Sequence, residues 1–133
     1  LLAETLLEAG DEAAAAEEIE HALATAERTG EKYYLAELHR LHGRCLLLRA
    51  NRSTTTGTQR TLFGDALQSM ERAMSIAENQ GALLWLLRAA TDACNVEKRS
   101  RAARSRLRMV LAQVDDGSDT TDLVRARAML ADG

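Results

Sequence analysis

The chain has 133 residues, and Ala and Leu, with 24 and 21 copies, make up about a third of it. Val and Ile together number only six and proline is absent, so residues that favour strands are scarce and nothing interrupts long helices. The net charge of −3 at pH 7 is too close to balance to predict a nucleic-acid or membrane partner for the whole surface. This composition excludes an all-β or α/β fold and favours helix packed on helix.

Glycines divide the chain into segments with apolar residues at helical spacing, and we predict six to seven helices in an all-α fold. A short segment, Leu1–Ala9, ends at Gly10, and Asp11 caps a second helix that ends at Gly30. The third, Lys32–Ala50, is apolar around much of its circumference, so we expect it to be buried on two sides. The remaining helices are predicted at Leu62–Gln80, Ala82–Glu97, Ser100–Val114 and after a cap at Thr120.

The segment Asn51–Thr61 is polar, rich in Thr and without apolar periodicity. This pattern predicts a flexible surface loop between the third and fourth helices, an insertion that is tolerated because long polar loops cost little entropy. A phosphorylated or partner-binding loop is the functional alternative.

An internal repeat relates the second, fourth and sixth helices. The shared pattern is Ala15-x3-Ile19-x2-Ala22-Leu23, Ala66-x3-Met70-x2-Ala73-Met74 and Ala103-x3-Leu107-x2-Val110-Leu111. The helix ends agree as well, since Ala26-Glu27-x2-Gly30 is repeated as Ala77-Glu78-x2-Gly81. The repeating unit is therefore predicted to be an antiparallel pair of helices, and such pairs stack into a solenoid because one pair cannot bury its own apolar face.

Two motifs resemble the signature of tetratricopeptide repeats. His42-Gly43-x2-Leu46 stands for L-G-x2-Y and Ala66-x3-Met70 for A-x3-F, with aliphatic residues in place of the aromatic ones. A closer resemblance, which covers nearly the whole chain, is to the C-terminal repeats of large bacterial signalling ATPases, among them maltose-activator-type transcription regulators and cyclase-linked ATPases. It is carried by Ala26–Gly43, Arg88–Thr91 and Asp116–Leu123. Family members usually carry aromatic residues before that last turn, where Leu111–Val114 and Ser118 stand here.

The resemblance implies a tetratricopeptide-like α-solenoid, one domain over residues 1–133, that belongs to a longer protein with its catalytic or DNA-binding unit upstream. Its expected role is a non-catalytic protein-binding or regulatory scaffold module of a bacterial signal-transduction or transcription regulator. The expected partner is another protein or the upstream domains, and a homodimer is also considered. No apolar run reaches membrane-spanning length and no signal peptide is recognisable, so we expect a soluble, cytoplasmic protein without a membrane partner.

Four residues are candidates for partner binding: Tyr33, Tyr34, Trp85 and Arg88. The tyrosines begin the third helix where Leu84 and Trp85 begin the fifth, so stacking should place them along one edge of the groove. Trp and Arg are also over-represented at the energetic centres of interfaces. A plain packing role for Trp85 is the alternative.

A run of six basic residues without an acid between Lys98 and Arg108 supports an alternative, nucleic-acid or anion binding through the basic helix 98–108. Its cations point in several directions and no aromatic residue is interleaved for base stacking, so we expect a solvated helix face and no nucleic-acid partner.

Chemistry other than binding has weak support in the sequence. His39, His42 and Cys45 lie on successive turns and lack a fourth ligand, so they are predicted to pack and not to bind metal. Cys45 and Cys94 are predicted to be free, buried thiols. No phosphate-binding glycine loop or nucleophile motif is recognisable, so we predict no cofactor and no catalytic residue, with a small helical enzyme as the remaining rival.

Overall fold

The computed structural model describes residues 2–132, and α-helix accounts for 82% of them. No β-strand occurs within this range, which confirms the all-α fold. The helices are α1 Leu2–Glu8, α2 Glu12–Thr29, α3 Leu35–Arg52, α4 Thr56–Gln80, α5 Leu83–Val96, α6 Arg101–Val114 and α7 Thr121–Ala131.

The helices stack as consecutive antiparallel hairpins. Each helix packs against the next one along the chain, and connections of two to six residues force neighbours to run in opposite directions. The odd-numbered helices also pack against one another in the order α1, α3, α5, α7, whereas the backbones of α2, α4 and α6 stay apart within residues 2–132, and an exposed ion pair between Arg106 and Glu78 joins α6 to α4. The odd helices therefore form one closely packed layer, and the even helices form a second layer in which neighbouring backbones lie farther apart.

The two repeated helix ends have the same geometry. Gly30 follows α2 with a φ of 74° and Gly81 follows α4 with a φ of 69°, both in the left-handed region that favours glycine. Their backbone N–H groups donate to the carbonyl oxygens of Ala26 and Ala77, respectively, which caps both helices in the same way. The sequence repeat at these exits is thus a structural repeat.

Two hydrophobic clusters form the core, and α3 contributes to both. The smaller, or N-terminal core, contains Ala3, Leu7, Ala15, Ile19, Leu41 and Cys45 from α1, α2 and α3. The larger, or C-terminal core, joins Ala36 of α3 to the buried faces of α4, α5, α6 and α7. Helix α3 is buried on two sides, as predicted from the apolar residues around much of its circumference.

Helices α3 and α4 approach each other closely at Gly43 of α3. A Cβ atom built on Gly43 would lie 2.8 Å from Met70 Cε and 3.1 Å from the carbonyl oxygen of Ala66, both on α4. A side chain here would require the end of Met70 to move and the backbone at Ala66 to shift by a few tenths of an ångström. The two sequence motifs Gly43-x2-Leu46 and Ala66-x3-Met70 therefore face each other within one hairpin.

The predicted loop at 51–61 is wrong for most of its length. Helix α3 continues to Arg52 and α4 already begins at Thr56, which leaves only Ser53, Thr54 and Thr55 outside helices. Low helix propensity did not prevent the extension because the segment contains no proline, and packing of the remainder of α4 supports its first turns. The Gln59 side chain also donates a 3.1 Å hydrogen bond to the Ala50 carbonyl at the end of α3.

Candidate functional site

Three aromatic side chains from two distant parts of the sequence meet where α3 and α5 begin. The Tyr33 and Tyr34 rings lie 4.8 Å apart edge to face, and the Tyr33 ring lies 5.6 Å from the Trp85 ring, also edge to face. Tyr34 completes the cluster at 6.1 Å from Trp85. These are favourable aromatic geometries. The structure therefore brings together three of the four residues that the sequence singled out.

The cluster is open to solvent. Tyr33 is 69% exposed and Tyr34 51%, and the next-door Leu83 and Leu84 are 41% and 53% exposed. Trp85 is partly buried and packs against the C-terminal core, which confirms the packing role that the sequence offered as an alternative. We call Tyr33, Tyr34, Leu83, Leu84 and Trp85 the aromatic patch. Four of the seven large apolar side chains that are exposed within residues 2–132 belong to it.

Two clefts flank the aromatic patch, and Tyr33 lines both. One of about 650 Å³ lies along the start of α5 between Tyr33 and the segment from Gln80 to Trp85. The other, of about 440 Å³, runs between α2 and the start of α3 and includes Thr25, Ala26 and Leu38 in its wall. Both volumes are within the range of ligand and peptide pockets. The patch is thus a ridge of aromatic rings between two grooves.

Arg88 has different surroundings from the other three candidates. Its Nη1 donates to Glu37 at 2.5 Å and its Nε to Asp122 at 2.9 Å, so the guanidinium joins α3, α5 and α7. It borders a separate cleft of about 390 Å³, together with Glu4, Arg44 and Arg125. Although Arg88 is one helical turn from Trp85, its charge is already used in ion pairs.

Arg40, the most deeply buried charged side chain among residues 2–132, was not predicted from the sequence. Its side chain is 2% exposed, and its three nitrogens donate to Glu37 at 2.6 Å, Asp92 at 2.9 Å and Glu4 at 2.8 Å. Arg125 also pairs with Asp92 at 2.9 Å. Together with the pairs of Arg88, these residues form a charged network that connects all four odd helices.

Electrostatics favour the ionised form of this network. Burial alone would lower the pKa of Arg40, but the nearby carboxylates of Asp92 and Glu37 outweigh it and raise the pKa above its usual range. Partial burial by itself would raise the pKa of Glu4. The hydrogen bond and positive charge of Arg40 outweigh this effect, so the pKa of Glu4 is lowered overall. The network is therefore a set of compensated charges. The sequence gives a partial signal, because Asp92 is the single acid of the largely apolar α5, whereas Arg40 has the polar neighbours His39 and His42 in α3.

The basic run Lys98–Arg108 is divided among several environments. Arg104 donates to the carbonyl oxygens of Met129 and Leu130 at the end of α7, and Arg106 pairs with Glu78 at 3.3 Å. Arg101 and Arg108 are exposed on α6, while Lys98 and Arg99 lie in the turn before it. The run is not one continuous basic surface.

The remaining ionisable candidates are enclosed by packing. Cys45 and Cys94 are free and buried, as predicted, and burial raises the pKa of Cys45 to about 11 and raises that of Cys94. His39 and His42 are half-buried. Within residues 2–132, no three His, Cys, Asp or Glu side chains are arranged to hold a metal ion.

Comparisons with known proteins give no relative: no family model, no curated protein and no solved structure matches this chain. Among the helices that the structure describes, none is long and apolar enough to cross a membrane.

Proposed function

We propose that this chain is a protein-binding scaffold module in which the aromatic patch is the contact surface. The observation that carries the proposal is the concentration of exposed Tyr33, Tyr34, Leu83 and Leu84 around Trp85. Tyr and Trp rings supply large contact areas and are enriched where interfaces gain most of their energy. Flanking grooves on both sides provide room for the side chains of a partner.

A binding role agrees better than catalysis with the state of the ionisable groups. Arg40 and its carboxylates satisfy one another, and the two thiols have raised pKa values that disfavour nucleophilic attack. The stacked hairpins also offer a rigid support for a binding surface. The resemblance of the repeats to bacterial signalling ATPases supplies the context that we propose: a cytoplasmic regulator of signal transduction or transcription, in which a bound protein alters contacts with other domains.

The patch can be tested with peptides of known sequence. A displayed peptide library is selected on the immobilised chain, and the recovered peptides are titrated against purified variants. Trp85→Ala and Tyr34→Ala should each weaken binding by about 30-fold, which corresponds to about 2 kcal/mol. Arg101→Glu combined with Arg108→Glu is the matched control, because both side chains are exposed on α6 and make no ion pair within the described residues.

The nucleic-acid alternative predicts the reverse ranking. If a labelled DNA duplex binds more tightly than the peptides, loses affinity steeply with salt and is lost in the double arginine variant, the basic helix 98–108 is the functional surface. Arg104 is left unchanged in this test because it caps α7.

Self-association is a special case of the same proposal. A second copy that covers the patch would give a concentration-dependent dimer in sedimentation experiments, and Leu84→Glu should return it to a monomer. If the chain is monomeric at all concentrations, self-association is excluded and the proposed partner is a different protein.

A further inference from the structure

A second, chemically different cleft lies at the opposite end of the hairpins from the aromatic patch. The connections α3–α4 and α5–α6 meet there, whereas the patch is formed by α2–α3 and α4–α5. The cleft has a volume of about 740 Å³, within the range of small-molecule sites. Its lining residues are Leu47, Asn51, Phe63, Asn95, Val96, Glu97, Lys98, Arg99 and Ser100.

One wall of this cleft is suited to an anion. Lys98 and Arg99 are exposed, and neither has a carboxylate within 4.0 Å in the described part of the chain. They are the members of the basic run that neither cap a helix nor enter an ion pair and that line a cavity. Glu97 is the single acid in the lining, so the cations outnumber it. Such unpaired cations at the edge of a cavity favour phosphate.

Another part of the lining is suited to a flat ring. Phe63 is half-buried, about two turns from the start of α4, and Leu47 and Val96 add apolar surface to the same cleft. The amides of Asn51 and Asn95 border the same space. An amide offers both a donor and an acceptor, which is what the polar edge of a nucleobase requires, and an aromatic side chain stacks on the base face.

We propose that this cleft binds a mononucleotide, with its base against Phe63, the edge of the base toward Asn51 or Asn95, and its phosphates toward Lys98 and Arg99. The inference goes beyond the proposed protein-binding role, because it uses none of the aromatic patch residues. The cleft combines a ring-stacking wall with a cationic wall in one cavity, whereas a cationic surface alone would predict only phosphate binding.

The experiment is a calorimetric titration of the full chain with ATP, tripolyphosphate or adenosine, with EDTA present. ATP should bind, and each of the other two should bind at least about 10-fold more weakly, because each satisfies only one wall. Lys98→Glu with Arg99→Glu should weaken ATP by about 10-fold or more. Phe63→Leu should weaken ATP several-fold and leave tripolyphosphate unchanged.

Arg101→Glu with Arg108→Glu is the control, since it removes the same charge outside the cleft and should change ATP affinity less than the Lys98 and Arg99 pair. Equal melting temperatures establish that each variant is folded. Absence of ATP binding, equal affinity for ATP and tripolyphosphate, or equal losses in the two double variants would each overturn the proposal.

Discussion

The N-terminal and C-terminal cores are built on different scales, although both use α3. The N-terminal core has six buried residues, whereas the C-terminal core has fifteen. Three large side chains of the C-terminal core, Met70, Leu87 and Leu107, are fully buried. The contact between the two halves depends on one shared helix and on buried ion pairs of Arg40. The hairpins of this protein are therefore held together by specific ion pairs as well as by buried apolar surface.

The largest expected effect is at the joint between the two cores. Arg40→Ala removes one guanidinium from three carboxylates and leaves Glu37 and Asp92 buried with fewer partners. Breaking a buried pair from one side costs about 3–5 kcal/mol, so urea unfolding should shift to much lower concentrations. Arg106→Ala breaks the exposed pair with Glu78 and should cost about 0–1 kcal/mol. Similar losses in both variants would contradict the importance of the joint.

Substitutions at two glycines, Gly43 and Gly64, test the close packing between α3 and α4. Gly43→Ala should destabilise the protein by about 1–3 kcal/mol, because its Cβ meets Met70 and the backbone of Ala66. Gly64→Ala is the control: a Cβ there meets nothing within 4 Å, and alanine in place of glycine inside a helix should stabilise by up to about 1 kcal/mol. Thermal unfolding of both variants gives the sign, and stabilisation by both would refute the close approach.

Helix α2 of the N-terminal core and helix α7 of the C-terminal core differ in their N-terminal caps. Asp11 accepts a 3.2 Å hydrogen bond from the Ala14 amide at the start of α2, so Asp11→Ala should cost about 1 kcal/mol. Thr120 occupies the cap position of α7 as predicted, but its side chain makes no capping hydrogen bond. Thr120→Ala should therefore leave the midpoint of chemical unfolding nearly unchanged, and an equal loss in both variants would show that Thr120 also caps its helix.

Protonation of His39 and His42 on α3 is expected to have the smallest effect on stability. Burial lowers the pKa of His39, with a further contribution from Arg72, and burial lowers the pKa of His42. The unfolded chain then binds more protons between these lowered values and about 6.5, so stability should fall as the pH falls through that window. Urea midpoints at pH 7.5, 6.5 and 5.5 measure this. His39→Gln with His42→Gln should flatten the dependence, whereas His21→Gln, at an exposed position, should alter it less.

The sequence predicted the helices well because their ends are local features. Gly30 and Gly81 mark left-handed caps, and the apolar stripes between them need no tertiary information. The sequence does not predict that α4 begins at Thr56, because the first residues of this helix have weak helix propensity and no apolar periodicity. Arg40 escaped detection for a different reason: its partner Asp92 is 52 residues away, and only folding brings them to 2.9 Å. The aromatic patch could be anticipated because its members recur at equivalent repeat positions.

The matching glycine ends of α2 and α4 determine where the aromatic side chains lie. Since Gly30 and Gly81 turn the chain in the same way, the side chains that follow are delivered to adjacent places on the same end of the stack. Each added hairpin of this kind would extend the ridge by one increment without any new fold. The next turn on that end, residues 115–120, carries Asp115, Asp116 and Asp119 instead of aromatic residues. The length of the aromatic ridge is thus set by the identity of the few residues that follow each turn.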